Sequence, residues 1–248
     1  MSSKRQLSFV LPAYNEEDNI REMLADVVST LAALDCDYEI IVVDDGSMDR
    51  TAAIVHETAA EDSFIRLISH PVNLGYGDAV LTGLTSANKE FVFFTDSDKQ
   101  FDLAELGSMF DLIETSDIAV GYRAPRRDPF MRRVKGRGWS LLVNSLFGYT
   151  ARDIDCAFKL IRTEVVRRLH GKVESRGLTF SAEFLVRAKS EGFRTIELPI
   201  RGHRPRTGGS PTAVSLKTTF KAFVDLFRFR IKFWNENRQK SLSSKREP

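Results

Sequence analysis

Two carboxylates stand two residues apart in Asp96-Ser97-Asp98, directly after the apolar run 91–95. A turn leaving a buried strand in this way can aim both at one hard cation, and Gln100 offers a further oxygen on the same turn. Mg²⁺ or Mn²⁺ suits such a set, because each is commonly held by one or two carboxylates plus the phosphates of a substrate. The ion would neutralise charge developing on a departing diphosphate. The alternative is a solvated acidic turn, with Asp102 capping the helix that follows. A second acidic pair, Asp44-Asp45, closes the run 40–43. Carboxylates there can accept from a nucleobase N–H or from ribose hydroxyls, while Gly46 and Ser47 let the chain turn tightly. A helix-capping turn accounts for the same residues. Asn73-x-Gly75-x-Gly77 is not a G-x-G-x-x-G fingerprint and does not follow the first strand, which disfavours a dinucleotide site.

Elements must bring these residues together. The runs 7–11, 39–43, 65–69, 91–95 and 118–121 are short, mostly apolar and rich in β-branched or aromatic side chains. Such runs suit strands buried on both faces of a parallel sheet. Helical spacing occupies 16–34, 49–60, 77–87 and 103–114 between them. The alternation predicts a doubly wound, Rossmann-like α/β sheet with right-handed crossovers. Ligands of such sheets bind beyond the carboxyl ends of the strands. Those ends carry Pro12-Ala13-Tyr14-Asn15-Glu16, Asp44-Asp45-Gly46-Ser47, the 73–77 loop and Asp96 to Gln100.

The 248 residues, 42% hydrophobic and 28% charged, suit one α/β domain with a sizeable core. A net charge of +2 argues against a nucleic-acid binder as a whole. Cys36 and Cys156 are too few for a disulfide framework or a zinc site, and a reducing cytoplasm fits. Residues 1–6 lack the apolar core of a signal peptide, and no run approaches the length needed to span a bilayer.

Val10-Leu11-Pro12-Ala13-Tyr14-Asn15-Glu16-Glu17, Val43-Asp44-Asp45-Gly46-Ser47-Met48-Asp49-Arg50-Thr51, Asn73-Leu74-Gly75-Tyr76-Gly77 and Asp96-Ser97-Asp98 occur in this order. Together they resemble the family 2 glycosyltransferases of GT-A fold, and within them the dolichyl- and polyprenyl-phosphate sugar synthases. The resemblance spans about residues 6–212. It implies inverting transfer of a hexose from a UDP- or GDP-sugar, with Mg²⁺ or Mn²⁺ at the D-x-D turn. It further implies that Pro12, Tyr14 and Glu16 line the nucleotide site and that Asp45, with Asp44 beside it, meets the base or ribose. Asp96 would face the sugar or ribose, with Ser97 counted in the same site, and Asp98 and Gln100 would hold the metal, Asp96 adding to that set.

Asp153-Ile154-Asp155-Cys156-Ala157-Phe158-Lys159 resembles the family's D-x-x-C-G-F-K segment, with Ala157 in place of Gly. The resemblance makes Asp153 the leading catalytic residue together with Asp98. A phosphate acceptor is already ionised at neutral pH, so this carboxylate would orient it or balance charge. Asp155 could exchange roles with Asp153. Glu183, on the helical pattern 180–190, is a lesser candidate for a polar contact, against a plain helix-surface Glu.

Basic residues concentrate at Arg123, Arg126, Arg127, Arg132, Arg133, Lys135 and Arg137, and again at His203 to Arg206. Arginine forks suit phosphate, and Arg123 and Arg206 are assigned to the nucleotide-sugar. The second cluster resembles an R-x-x-G-x-S region with one residue fewer, which leaves Arg204 and Arg206 as alternatives. Nucleic acid is not expected as a partner, since no aromatic-interleaved stacking motif is present. Phe220, Phe223, Val224, Phe227, Ile231 and Trp234 fall at helical spacing among Lys217, Lys221, Arg228, Arg230 and Lys232. That pattern suits either a membrane-interfacial helix or one packed on the domain or another subunit. The expected organisation is a GT-A domain over 1–212, an amphipathic helix over 213–234 and a disordered tail over 235–248. The expected location is peripheral, at the cytoplasmic face of the cell membrane, with a polyprenyl phosphate acceptor and a homo-oligomer left open. Transfer to a soluble or polysaccharide acceptor, sugar nucleotidyl transfer, and an inert nucleotide-binding module are the alternatives.

Overall fold

The structure, a computed structural model, describes residues 4–127, 130–204 and 216–244. Among these residues seven strands form one sheet in the order β3-β2-β1-β4-β6-β5-β7. They are β1 (Gln6–Ala13), β2 (Asp37–Asp44), β3 (Ile65–Ser69), β4 (Phe91–Thr95), β5 (Ile118–Arg123), β6 (Phe158–Arg162) and β7 (Thr195–Ile200). The first five answer the five expected runs, with both ends of β1 and β2 and the carboxyl end of β5 longer by one or two residues. β6 and β7 are additions, and β6 departs from the parallel rule: it pairs antiparallel with both β4 and β5. The α/β, mostly parallel expectation therefore holds, with one reversed strand inside the sheet.

That reversal decides what reaches the ligand edge. β1, β2, β4 and β5 present their carboxyl ends there, so Ala13, Asp44, Thr95 and Arg123 lie on one rim. For β6 it is the beginning of the strand that lies there, with Phe158 opposite Thr95. The preceding turn, Asp153 to Ala157, is thereby delivered beside the turn that follows β4.

Helices cover both faces. α1 (Ile20–Ala33), α2 (Thr51–Glu61) and α4 (Leu106–Ile113) pack on one, where Leu7, Phe9 and Leu11 of β1 point. α1 shows the reason: Ile20, Met23, Leu24, Val27 and Leu31 make a buried stripe at helical spacing. Phe9, Phe93 and Phe158 pack across three strands on this face, the first pair tilted and the second edge-to-face, with centroids 5.0 and 4.7 Å apart. Burial of each such ring is worth roughly 1.5–3 kcal/mol. α3 (Tyr76–Thr85), α6 (Thr163–Leu169) and α7 (Phe180–Ser190) cover the other face, onto which Val10, Ile41 and Phe94 point. Gly83 lets α3 approach β1, since a Cβ there would stand 2.2 Å from Val10 Cγ1.

α5 (Phe130–Phe147) and α8 (Leu216–Ser244) lie together outside this layer. α8 runs past the expected end at 234 into the segment expected to be disordered; residues 245–248 lie outside the described set. It carries two apolar stripes rather than one. Ala222, Leu226 and Phe229 are buried, with Phe233 partly so, and Phe147 stacks on Phe229 at 5.0 Å. Phe220, Phe223, Phe227, Ile231 and Trp234 form the second stripe and remain 39–72% exposed. Packing on the domain and an uncovered apolar face thus coexist in one helix.

Candidate active site

Short polar side chains lace the loops after β1 and β2 together. Asn15 N donates to Ser47 Oγ at 2.9 Å, Glu16 N to Thr51 Oγ1 at 2.8 Å and Glu17 N to Asp49 Oδ2 at 3.2 Å. In the other direction Met48 N donates to Asn15 Oδ1 and Arg50 N to Glu17 Oε2. Backbone donors that would be orphaned where strands turn into helices are satisfied in this way. The spacing Ser47-x-Asp49-x-Thr51 is therefore scaffolding. Gly46 is required at its position, with φ +71° and room for no Cβ: one would stand 2.5 Å from the Val72 carbonyl carbon.

Asp45 is buried, and its Oδ1 accepts from Leu74 N at 2.9 Å and meets His70 Nδ1 at 2.7 Å. Its Oδ2 accepts from Gly75 N at 2.8 Å. The carboxylate thus anchors the 73–77 loop, and His70 turns its other nitrogen to Thr82 Oγ1 at 3.0 Å. Asp44 is buried beside it and accepts from Ser47 N at 3.2 Å through Oδ1.

The anchored loop positions Tyr76, whose hydroxyl donates to Asp96. Burial and then the charge of Asp98 push the Asp96 carboxyl up to about 7, against the opposing pull of the Tyr76 hydrogen bond, Lys159 and Arg123. Ser97 Oγ donates to Pro12 O at 2.9 Å and ties the end of β4 to that of β1. Asp98 is 6% exposed and accepts from Gln100 N at 3.2 Å. Gln100 Nε2 donates to Arg204 O at 3.2 Å, so its Oε1 is the side-chain atom left to ligate. Asp96, Asp98 and Gln100 Oε1 make a set of hard oxygens that fits Mg²⁺ or Mn²⁺. Among the described residues no group of three or more His, Cys, Asp and Glu forms a complete metal cage. Water and substrate phosphate would complete the coordination.

Across the rim, Asp153 is 4% exposed and held by arginines. Arg123 Nε and one terminal nitrogen reach its two oxygens at 2.8 Å each, and Arg126 approaches at 3.5 Å. Burial works to raise the Asp153 carboxyl, but the hydrogen bonds and charge of Arg123, with the charge of Arg126, outweigh it and hold the group below its usual range. Arg126 lies against Gly136 of α5, where a Cβ would stand 2.8 Å from the guanidinium nitrogens. The basic run read from the sequence therefore divides: Arg123 and Arg126 line the site, whereas Arg127, Arg132, Lys135 and Arg137 are solvent-exposed. Asp155 is exposed at the surface, yet the protein packed close around it raises its carboxyl to about 6 against the pull of Lys159. Lys159 itself is buried on β6 opposite Phe94, lies 5.2 Å from that ring and donates to Cys156 O.

Of the residues singled out from sequence, Pro12, Tyr14, Glu16, Asp44, Asp45, Asp96, Ser97, Asp98, Gln100, Arg123, Asp153 and Asp155 are gathered at this edge. Tyr14 is 36% exposed, whereas Glu16 is buried and accepts from Asn19 Nδ2 at 2.8 Å. Arg206 lies outside the described residues. Glu183 is neither a surface Glu nor a site contact: it is 2% exposed and binds Arg187 Nε at 2.6 Å and Ser175 N at 2.7 Å. Tyr76, His70 and Lys159 were not singled out for these contacts. Only the polar residue inside an otherwise apolar strand or helix start hinted at Tyr76 and Lys159, and His70 left no local signal.

A mostly parallel sheet with a D-x-D turn, an acidic pair after β2 and paired guanidiniums on one rim is the arrangement of a GT-A nucleotide-sugar transferase. The chain belongs to Glycosyl transferase family 2, whose model matches residues 8–169. It is a glycosyltransferase. A dolichyl-phosphate β-glucosyltransferase of Trichomonas vaginalis is 31% identical over 91% of this chain and 71% of its own length. An undecaprenyl-phosphate 4-deoxy-4-formamido-L-arabinose transferase of Edwardsiella ictaluri is 30% identical over 82% of this chain and 61% of its own. In fold, the chain is similar to glucosyl-3-phosphoglycerate synthase from Mycobacterium tuberculosis, solved with Mn²⁺, UDP-glucose and phosphoglyceric acid. The TM-score is 0.66 at 20% identity, over 91% of this chain and 80% of that one.

Proposed function

We propose that this glycosyltransferase moves one hexose from a UDP- or GDP-sugar onto a polyprenyl phosphate, with inversion, at a membrane surface. The observation that carries the reading is the placement of Arg123 and Arg126 around Asp153 on the same rim as Asp96 and Asp98. An anionic acceptor brought to a site already holding a diphosphate needs fixed positive charge, and paired guanidiniums supply it. The polyprenyl-phosphate transferases among its relatives support the same acceptor class.

In this reading Asp96, Asp98 and the Gln100 carbonyl would hold Mg²⁺ or Mn²⁺, which supplies Lewis-acid neutralisation of the departing diphosphate. An acceptor phosphate oxygen forms the new bond to the anomeric carbon as the bond from that carbon to the nucleoside diphosphate breaks. The acceptor is ionised, so no proton has to be removed, and the leaving group carries the negative charge away. Asp153 acts through Arg123 and Arg126 rather than as a base. Asp155 is the carboxylate open to the reacting groups. Pro12, Tyr14, Glu16 and Asp44 line the nucleotide, with Asp45 holding the wall they share.

The uncovered stripe of α8 supports peripheral membrane contact. Lys221, Arg228 and Lys232 flank it on one side, an arrangement suited to an anionic interface. Among the described residues no helix is long and apolar enough to cross a membrane. The test is nucleotide release by purified protein from UDP- and GDP-sugars, with and without polyprenyl phosphate and with Mg²⁺ or Mn²⁺. Release that requires lipid, metal and Asp98 supports the reading and names the donor; release indifferent to lipid removes the acceptor assignment.

A further inference from the structure

A continuous line of polar contacts joins α8 to the donor side of the site. Glu236 of α8 accepts from a terminal nitrogen of Arg187 at 2.9 Å, and the Arg187 guanidinium lies 5.3 Å from the Phe229 ring. Arg187 Nε donates to Glu183, whose second oxygen accepts from Ser175 N. Lys232 of α8 pairs with Glu174, one residue earlier. The next residue, Arg176, pairs with Asp78 at 3.2 Å. Its carbonyl lies so close to α3 that a Cβ on Gly77 would stand 2.6 Å from it, and one on Gly75 3.4 Å away. Between those glycines is Tyr76, which holds Asp96.

We propose that Arg187, Glu183 and Glu236 are positioning residues for the donor site, and that α8 braces the start of α3 through residues 174–176. The physical reason lies in burial. Arg187 and Glu183 are 6% and 2% exposed, so each needs its partners, and beyond their own pairing these are one carboxylate of α8 and one backbone amide. Loss of Glu236 leaves Arg187 with one carboxylate, loosens Glu183 on Ser175 N, and lets the 174–176 segment rise from Gly75 and Gly77. Tyr76 then loses its fixed approach to Asp96. This inference rests on the donor-site reading above for its kinetic consequence, but not for the brace itself.

The experiment compares the full chain with Glu236→Ala, Arg187→Met and Gln239→Ala. Gln239 is an exposed residue of the same helix and serves as the control. Hydrogen exchange is followed without nucleotide at the amides of Ser175, Leu74 and Gly75, all of them hydrogen-bonded to carboxylates. Binding of UDP and GDP with Mn²⁺ is titrated in parallel. The brace requires at least threefold faster exchange at all three amides in Glu236→Ala, an at least threefold higher Kd for the nucleotide that binds, and neither change in Gln239→Ala. Unchanged exchange at Leu74 and Gly75, unchanged nucleotide Kd, or the same effects in Gln239→Ala would overturn it. Arg187→Met, should it fail to fold, leaves Glu236→Ala to decide. Absence of nucleotide binding by the unmodified protein sinks the donor-site reading, and the exchange arm still decides the brace.

Discussion

Arg123 and Asp153 meet as a two-pronged pair, each guanidinium nitrogen 2.8 Å from its own carboxylate oxygen, with both side chains at most 10% exposed. A carboxylate held in this way is spent on orienting arginines. It keeps Arg123 and Arg126 side by side in a fixed geometry, which a phosphate can meet without first ordering two long side chains.

Replacing Asp153 by Asn should therefore cost stability as well as activity. Removing one partner from a buried pair typically costs about 3–5 kcal/mol. The Asp153 carboxyl is held below its usual range, so its stabilising contribution is present above the unfolded value near 3.8 and is lost as pH falls through the lower folded value. Urea unfolding of both proteins between pH 3 and 7 checks this, and the gap between them should narrow toward acid.

Tyr76→Phe removes only the hydroxyl given to Asp96. A hydrogen bond to a charged group is worth about 1.5–3 kcal/mol, so kcat/KM for the donor should fall about tenfold or more. The metal concentration for half-maximal rate should rise with it. A variant with wild-type kinetics at limiting Mn²⁺ would show that the bond is idle.

Asp155 titrates near 6, so a reaction that needs its carboxylate loses rate as pH falls through that value. Below it, kcat/KM should drop by at least about tenfold per pH unit, since the Asp96 carboxyl, pushed up to about 7, titrates in the same range. Asp155→Asn should be slow at all pH values and show a shallower acid limb. The profile is measured from pH 5 to 8 by nucleotide release.

Gly46→Ala meets two obstacles, a left-handed backbone and the Val72 carbonyl carbon 2.5 Å from the new Cβ. Left-handed strain alone costs about 1–3 kcal/mol, and the contact adds to it. Thermal unfolding should register the loss, and nucleotide affinity should fall with it because the loops after β2 and β3 must separate.

Phe227→Ala together with Trp234→Ala strips the exposed stripe of α8 and leaves Leu226 and Phe229 in place. Binding to vesicles of anionic phospholipid should drop at least tenfold with the unfolding midpoint unchanged, and residual binding should weaken as salt rises. Equal vesicle binding by the double variant would remove α8 from the interface.

Much of the fold was legible because parallel strands buried on both faces are short apolar runs, and β1 to β5 are of this kind. The D-x-D turn was legible because chemistry and position coincide in it. β6 and β7 were not, since the short run from Phe158 to Arg162 is broken by Lys159 and ends in an arginine, and β7 is a half-buried edge strand. α8 was read by its exposed stripe alone, although the second stripe, Ala222-Leu226-Phe229-Phe233, is present in the same helical period.

The sequence by itself determined the alternation of elements, the family, and which loops carry oxygen ligands and arginines, because these depend on residue type and local spacing. Only the tertiary structure decided which carboxylates are already engaged. Asp153 pairs with Arg123, Asp45 holds the 73–77 loop, and Glu183 is buried against Arg187. Each of these partnerships joins residues from different elements or adds a third from another one, as Glu236 of α8 does for Arg187. The reversed β6 strand brings two such segments to one rim, and no local pattern of residues encodes that placement.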